Sequence, residues 1–162
     1  IVINKIEKEL FGYIMKLTGQ SLSTDQINKV AAMSKTVTDL ERIADLAENL
    51  TELSMVTHDN KMNFSDEARK ELEILFDKAI DIYLLGRQIF ETEDLLNQNL
   101  VNSLHGEIDS LSEDFQINHV NRVRSQRSNT QSEIVFLDAL SNLERISNHS
   151  KNIVQSIARL SI

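Results

Sequence analysis

Apolar residues recur every three or four positions along nearly the whole of this chain. Ile3, Ile6, Leu10, Ile14 and Leu17 keep that spacing, which gathers them on one face of an α-helix. The pattern predicts a first helix from Ile1 to about Leu17, ended by the polar Thr18-Gly19-Gln20-Ser21 stretch. Ser23, followed three residues later by Gln26, has the signature of a capping box. It opens a long second helix that runs to about Val56, before the polar turn Thr57-His58-Asp59-Asn60-Lys61. Ser65 is placed to cap a third helix, with Phe64 before it as a hydrophobic staple on Ala68 or the stem of Arg69. The third helix carries Leu72, Leu75, Phe76, Ala79, Ile82, Tyr83 and Ile89. A fourth starts near Thr92 with Leu96, Leu100, Leu104, Ile108, Leu111 and Phe115, and a fifth runs from about Gln131 to Leu160 after the polar Ser125 to Thr130 segment. No stretch alternates with the period of two that a half-buried strand needs. The expected fold is all-α, an antiparallel helical bundle forming one domain over residues 1–162.

Composition agrees with that pattern. The 162 residues include no proline and only 4 glycines, so little interrupts the helices. Aromatic residues make up 5%, which leaves the core to Leu, Ile, Val and Ala. The absence of cysteine excludes disulfides, thiolate metal sites and a thiol nucleophile. A net charge of −8 disfavours nucleic acid as a partner. No apolar run approaches the roughly 18 residues of a membrane-spanning helix, and no secretory signal is visible. The chain opens on Ile1-Val2-Ile3 without a methionine, which reads as a piece of something larger. Motifs for di-iron bundles, zinc proteases, phosphate-cradling loops and serine hydrolases are missing. A regulatory or binding module is expected rather than an enzyme.

The chain also repeats itself. Thr38 to Leu50 and Ser141 to Ile153 align without a gap at an offset of 103 residues. Leu40 and Leu143, Glu41 and Glu144, Arg42 and Arg145, Ile43 and Ile146, and Asn49 and Asn152 coincide. Helix five therefore repeats helix two, and helix four repeats helix one. Repeat 1 is expected over about residues 1–90 and repeat 2 over about 91–162. The offset places the start of the first copy's opening helix about eleven residues before Ile1, with a third helix of the second copy absent or shortened.

On a helical wheel Leu40, Ile43, Ala44, Ala47 and Leu50 form the expected core stripe of helix two. Glu41, Asp45, Glu48 and Glu52 line up beside it. Like charges at that spacing repel by a few tenths of a kcal/mol per pair, about 0.2–0.5. Such a row either faces open water or meets a cation, and hard carboxylate oxygens suit Mg²⁺, Mn²⁺, Ca²⁺ or iron. The second copy presents Glu144, Asn148, Lys151 and Gln155 instead, which takes the formal charge of the row from −4 to 0. An asymmetric pair of sites follows, the first stronger.

Other polar residues offer chemistry less specifically. His105, Asp109 and Glu113 lie one turn apart on helix four and either complete a site facing helix five or line an exposed surface. His119 and His149 are ligand candidates, or partly buried structural histidines. An exposed histidine at either position would also suit phosphotransfer, although the first copy has Leu46 where His149 stands. Arg122, Arg124 and Arg127 precede the fifth helix and offer an anion site, or are simply solvated.

The blocks Asp39-Leu-Glu-Arg-Ile-Ala-Asp45 and Leu137-Asp-Ala-Leu-Ser-Asn-Leu-Glu-Arg-Ile-Ser-Asn148-His149 resemble the signature of PhoU-type domains. Asn118-His119-Val120-Asn121-Arg122 resembles the variant in the C-terminal cytoplasmic region of sodium/phosphate cotransporter family proteins. The resemblance covers roughly residues 20 to 160. It implies a bundle of two three-helix repeats, the first and last helices being open to truncation here. It also implies a regulatory role in phosphate transport on the cytoplasmic face of the cell membrane, with the transporter portion of the same polypeptide as partner and a homodimer as a further option. The alternative is a free-standing PhoU-type regulator of phosphate uptake signalling. The resemblance further implies divalent metal or iron held by a Glu/Asp-x-x-x-Asp motif in each repeat. Carried over, these are Glu41 and Asp45 (with Glu48 one turn on) and Glu144 and Asn148, where Asn148 departs from the expected Asp.

Overall fold

The computed structural model describes residues 2–125 and 130–160. It contains five helices: α1 Val2–Thr18, α2 Thr24–Asp59, α3 Asp66–Thr92, α4 Gln98–Ser125 and α5 Thr130–Ala158. No strand occurs among the described residues. The start signals act as expected. Ser23 and Gln26 form a reciprocal capping box, and the Ser65 hydroxyl accepts from the Ala68 amide. The Phe64 ring packs 6.3 Å from Phe136, tying the α3 entrance to α5.

The fourth helix starts six residues later than the periodicity suggested. Thr92 does not cap it, because its hydroxyl bonds back to the Gln88 carbonyl and closes α3. Glu93 then takes a left-handed conformation, and the Asp94 carboxylate accepts from the Leu96 amide to build the turn.

Helix α5 is the centre of the bundle. It packs against α2, α3 and α4, while α3 also packs on α4. Helix α1 packs on α2 alone, and α2 and α3 do not pack directly on one another among the described residues. Helices α2 and α5 run antiparallel: Asp39 meets His149 and Asn152, while Leu50 shares a groove with Ala139 and Leu143. The core is aliphatic, as the composition required. Leu75, Ile82, Ile89, Val101, Ile108, Phe136, Leu140 and Val154 are buried in one continuous cluster.

The buried line of α2 differs from the predicted stripe. Thr36, Asp39 and Leu46 are buried, with Ile43 and Leu50 partly covered. Leu40 and Ala47 are exposed and Ala44 is only half-buried. The reason is tertiary: α5 lies over the Asp39/Leu46 line, and the Leu40/Ala44/Ala47 line faces a groove. No helix among the described residues is long and apolar enough to cross a membrane.

Candidate functional site

The two copies of the repeat place their glutamates in different surroundings. In the first, Glu41 and Asp45 lie side by side on α2, with Arg42 at 3.7 Å from Glu41 and 3.9 Å from Asp45. Glu7, from α1, adds its charge to the same place. The Glu41 carboxyl is pushed above the usual glutamate range, chiefly by burial and then by the Asp45 charge, with Glu7 adding to it and Arg42 opposing. The row was expected on α2 alone, and Glu7 escaped it. The signal was present, because Glu7 sits between Ile6 and Leu10 inside the apolar stripe of α1. Glu48 and Glu52 are exposed.

In the second copy Glu144 accepts a hydrogen bond from the Ser112 hydroxyl of α4 at 3.0 Å. Ser112 thus faces Glu144 much as Glu7 faces Glu41, a hydroxyl in place of a carboxylate. His105 sits one and a half to two turns away on α4, between Ser147 (Nδ1 to Oγ 3.1 Å) and Asp109 (Nε2 to Oδ2 3.3 Å). Burial holds the His105 ring below the ordinary histidine range, Lys151 adds to that, and Asp109 and Glu144 oppose it. Asn148 is half-buried beside this network and Glu113 is exposed. The two sites therefore differ in kind: Glu41 and Asp45 with the charge of Glu7 nearby in one, and in the other carboxylates already engaged, Glu144 by the Ser112 hydroxyl and Asp109 by the His105 imidazole. Among the described residues no three acid or histidine side chains converge into a ready set of metal ligands.

Arg122 and the histidine candidates turn out to be interhelical anchors, while Arg124 is exposed. Arg122 makes a bidentate pair with the buried Glu71 of α3, at 2.9 Å and 2.6 Å, and Asn118 donates to the same carboxylate. Its guanidinium also lies 5.2 Å from the centre of the Phe136 ring. An arginine so engaged is not a free anion site, and Arg127 lies outside the described residues. His119 is buried, stacked on Phe136 at 4.6 Å, and held below the ordinary histidine range by burial and then by Arg122. His149 holds the buried Asp39 across the α2–α5 interface at 2.9 Å. Neither is placed as a surface phosphotransfer histidine. The Asp39 network was missed because Asp39 was read only as part of a motif, although it lies three residues from Thr36 on the same face.

These features define a class: a helical bundle built on two related helix pairs, with interhelical polar anchors and an acidic site in one copy. The PhoU domain model matches residues 2–54 and 72–157, and the chain belongs to that family. It is 24% identical over 132 residues to the phosphate-specific transport system accessory protein PhoU homolog 1 of Thermotoga maritima, covering 82% of this chain and 56% of that protein. The chain thus spans little more than half the length of that relative. The fold is also that of PhoU from Pseudomonas aeruginosa, whose crystal structure superposes with a TM-score of 0.92 at 19% identity, over 98% of this chain and 76% of the other. Both named relatives are PhoU proteins, so these comparisons support the PhoU part of the resemblance and lend nothing to the cotransporter part.

Proposed function

We propose that the chain is a PhoU-type regulator of phosphate uptake, acting by docking to transport or signalling proteins at the cytoplasmic face of the membrane rather than by catalysis. The observation that carries this reading is the family match to both halves of the bundle, joined to a relative named as an accessory of a phosphate-specific transport system. Attachment to a cotransporter in the same polypeptide rested on the Asn118 to Arg122 block. That block anchors Glu71, a structural use that speaks for no particular partner. The direct test deletes the gene and follows uptake of labelled phosphate in phosphate-replete cells. Uptake should become insensitive to external phosphate and recover with the intact gene. Unchanged uptake control would rule the reading out.

Metal binding forms part of this proposal for the first repeat only. Glu41 and Asp45 supply two hard oxygen donors whose mutual repulsion a cation would relieve. Two donors fit a hard divalent ion or iron that draws its remaining ligands from water or another chain. When bound, the ion would supply positive charge that neutralises the row. Glu144, already bonded by Ser112, and Asn148 offer the second repeat no such pair. Elemental analysis of purified protein should find metal that the Glu41→Ala/Asp45→Ala variant loses and Glu144→Ala keeps. Equal loss from both variants would remove the asymmetry.

A further inference from the structure

Ser34, Thr38, Thr51 and Thr57 of α2 each give their hydroxyl proton to the carbonyl four residues earlier, a local bond open to any helical serine or threonine. Thr36 is 1% exposed and does not take it. Its Oγ1 finds no partner among the described protein groups, and neither does Oδ2 of the buried Asp39, one turn along the same face. A buried polar oxygen left unpaired has given up its bonds to water for nothing in return. The other oxygen of the Asp39 carboxylate is engaged across the joint between the two repeats: Oδ1 meets His149 Nδ1 at 2.9 Å and Asn152 Nδ2 at 3.4 Å, both on α5.

The internal repeat shows that these groups form a set. The 103-residue offset carries Thr36 and Asp39 onto Ala139 and Asn142, and carries His149 back onto Leu46. Ala139 has no hydroxyl, Leu46 has no ring nitrogen, and the Asn142 amide donates to the Asp138 carbonyl of its own helix. Hydroxyl, carboxylate and imidazole are thus present together at one place in the α2–α5 joint and replaced together at the corresponding place. A hydroxyl kept where the carboxylate is kept points to one ligand serving both.

We propose that a single water molecule is bound between Thr36 Oγ1 and Asp39 Oδ2 as a fixed part of the α2–α5 joint. Water can accept from the hydroxyl and donate to the carboxylate at once. A hard cation asks for more oxygens than the two left over here, and Asp39 repels an anion. Neither residue lines one of the three described grooves, so nothing larger reaches them. The antiparallel register that sets Asp39 against Asn152 brings the buried Ser156, one turn further along α5, level with Thr36. Its proton goes to the Asn152 carbonyl, which leaves its oxygen able to accept. Three partners are the usual complement of a buried water. The result is a hydrated polar node that joins the repeats inside an aliphatic core, and it depends on neither the phosphate nor the metal reading.

A high-resolution crystal structure of the full chain should show one density peak within about 2.7–3.2 Å of both oxygens. No peak there, or a Thr36 hydroxyl turned back onto the Ala32 carbonyl, overturns the proposal. Thermal unfolding gives a reading of opposite sign for the two cases. Thr36→Val keeps the shape and removes the hydroxyl, so with water bound it should lower the midpoint by about 2–4 °C. A midpoint raised by Thr36→Val would mean a dry, unpaired hydroxyl and sinks the idea. So would a midpoint higher in sodium chloride than in choline chloride of equal strength, if Thr36→Val removes that difference, because the ligand would then be a metal ion.

Discussion

Leu40 and Leu143 hold the same position in the internal repeat, three residues before Ile43 and Ile146. One is 37% exposed and the other 2%. The same contrast runs along the two helices: Met33 is 51% exposed where Phe136 is fully covered. Helical periodicity wrote nearly the same apolar line twice, and among the described residues only the α5 copy has a helix lying on it. The difference teaches that an apolar stripe identifies a face able to be buried and leaves open whether anything buries it.

The polar groups divide in the same way. Helices α3 and α4 are joined by Arg122 with Glu71 and by Lys78 with Glu107 at 2.7 Å. The described ion pair of α1, Lys5 with Glu9 at 3.9 Å, lies within that helix. Helices α3, α4 and α5 therefore form a clamped three-helix unit that draws α3 from the first repeat, while α1 packs on α2.

The sharpest way to break that comparison is to open the clamp. Arg122→Ala leaves the buried Glu71 carboxylate without its bidentate partner and should cost about 3–5 kcal/mol in denaturant unfolding. A loss under about 1 kcal/mol would mean that the pair is solvated. Next come the repeat-equivalent leucines. Leu143→Ala should cost about 2–5 kcal/mol, the cost of a core cavity, whereas Leu40→Ala should cost about 1 kcal/mol or less. Equal costs would show that something covers α2 in solution, and analytical sedimentation on the same samples would show whether a second copy does.

The smallest effects are in pH. His105 and His119 both have folded pKa values lowered by burial, so the unfolded chain takes up protons first as pH falls below about 6.5. Their contribution is fully present above that pH and is lost as pH falls through the folded values. Glu41 works with the opposite sign. Its folded pKa is raised, so its charge burdens the native state at neutral pH and is relieved as pH falls toward 4.5. Unfolding midpoints measured from pH 7.5 to 4.5 should therefore drop less in His105→Asn than in the native chain. Glu41→Gln should be slightly more stable than the native chain at pH 7, by under about 1 kcal/mol. A Glu41→Gln variant less stable at neutral pH would remove the case for unbalanced charge at the first repeat.

Much of the candidate site was legible because helix chemistry is local. The side chains at Glu41 and Asp45 must lie together, being one turn apart, and Asn148 visibly weakened the second copy. Glu7 could be suspected only as a carboxylate within an apolar stripe. Its closeness to Glu41 needed the α1–α2 packing. The pairings of Arg122 with Glu71 and of His149 with Asp39 link residues 51 and 110 positions apart, and nothing in local spacing encodes such a choice.

By itself the sequence determined the helices, since periodicity, the Ser23 and Ser65 caps and the lack of proline all act within a few residues. It also determined the repeat and, through it, the family. Tertiary structure alone decided which of two apolar lines on α2 meets α5 and where Arg122 spends its charge. The physical reason is that burial is a property of pairs of elements. A helix can state its faces, but only a neighbour can cover one.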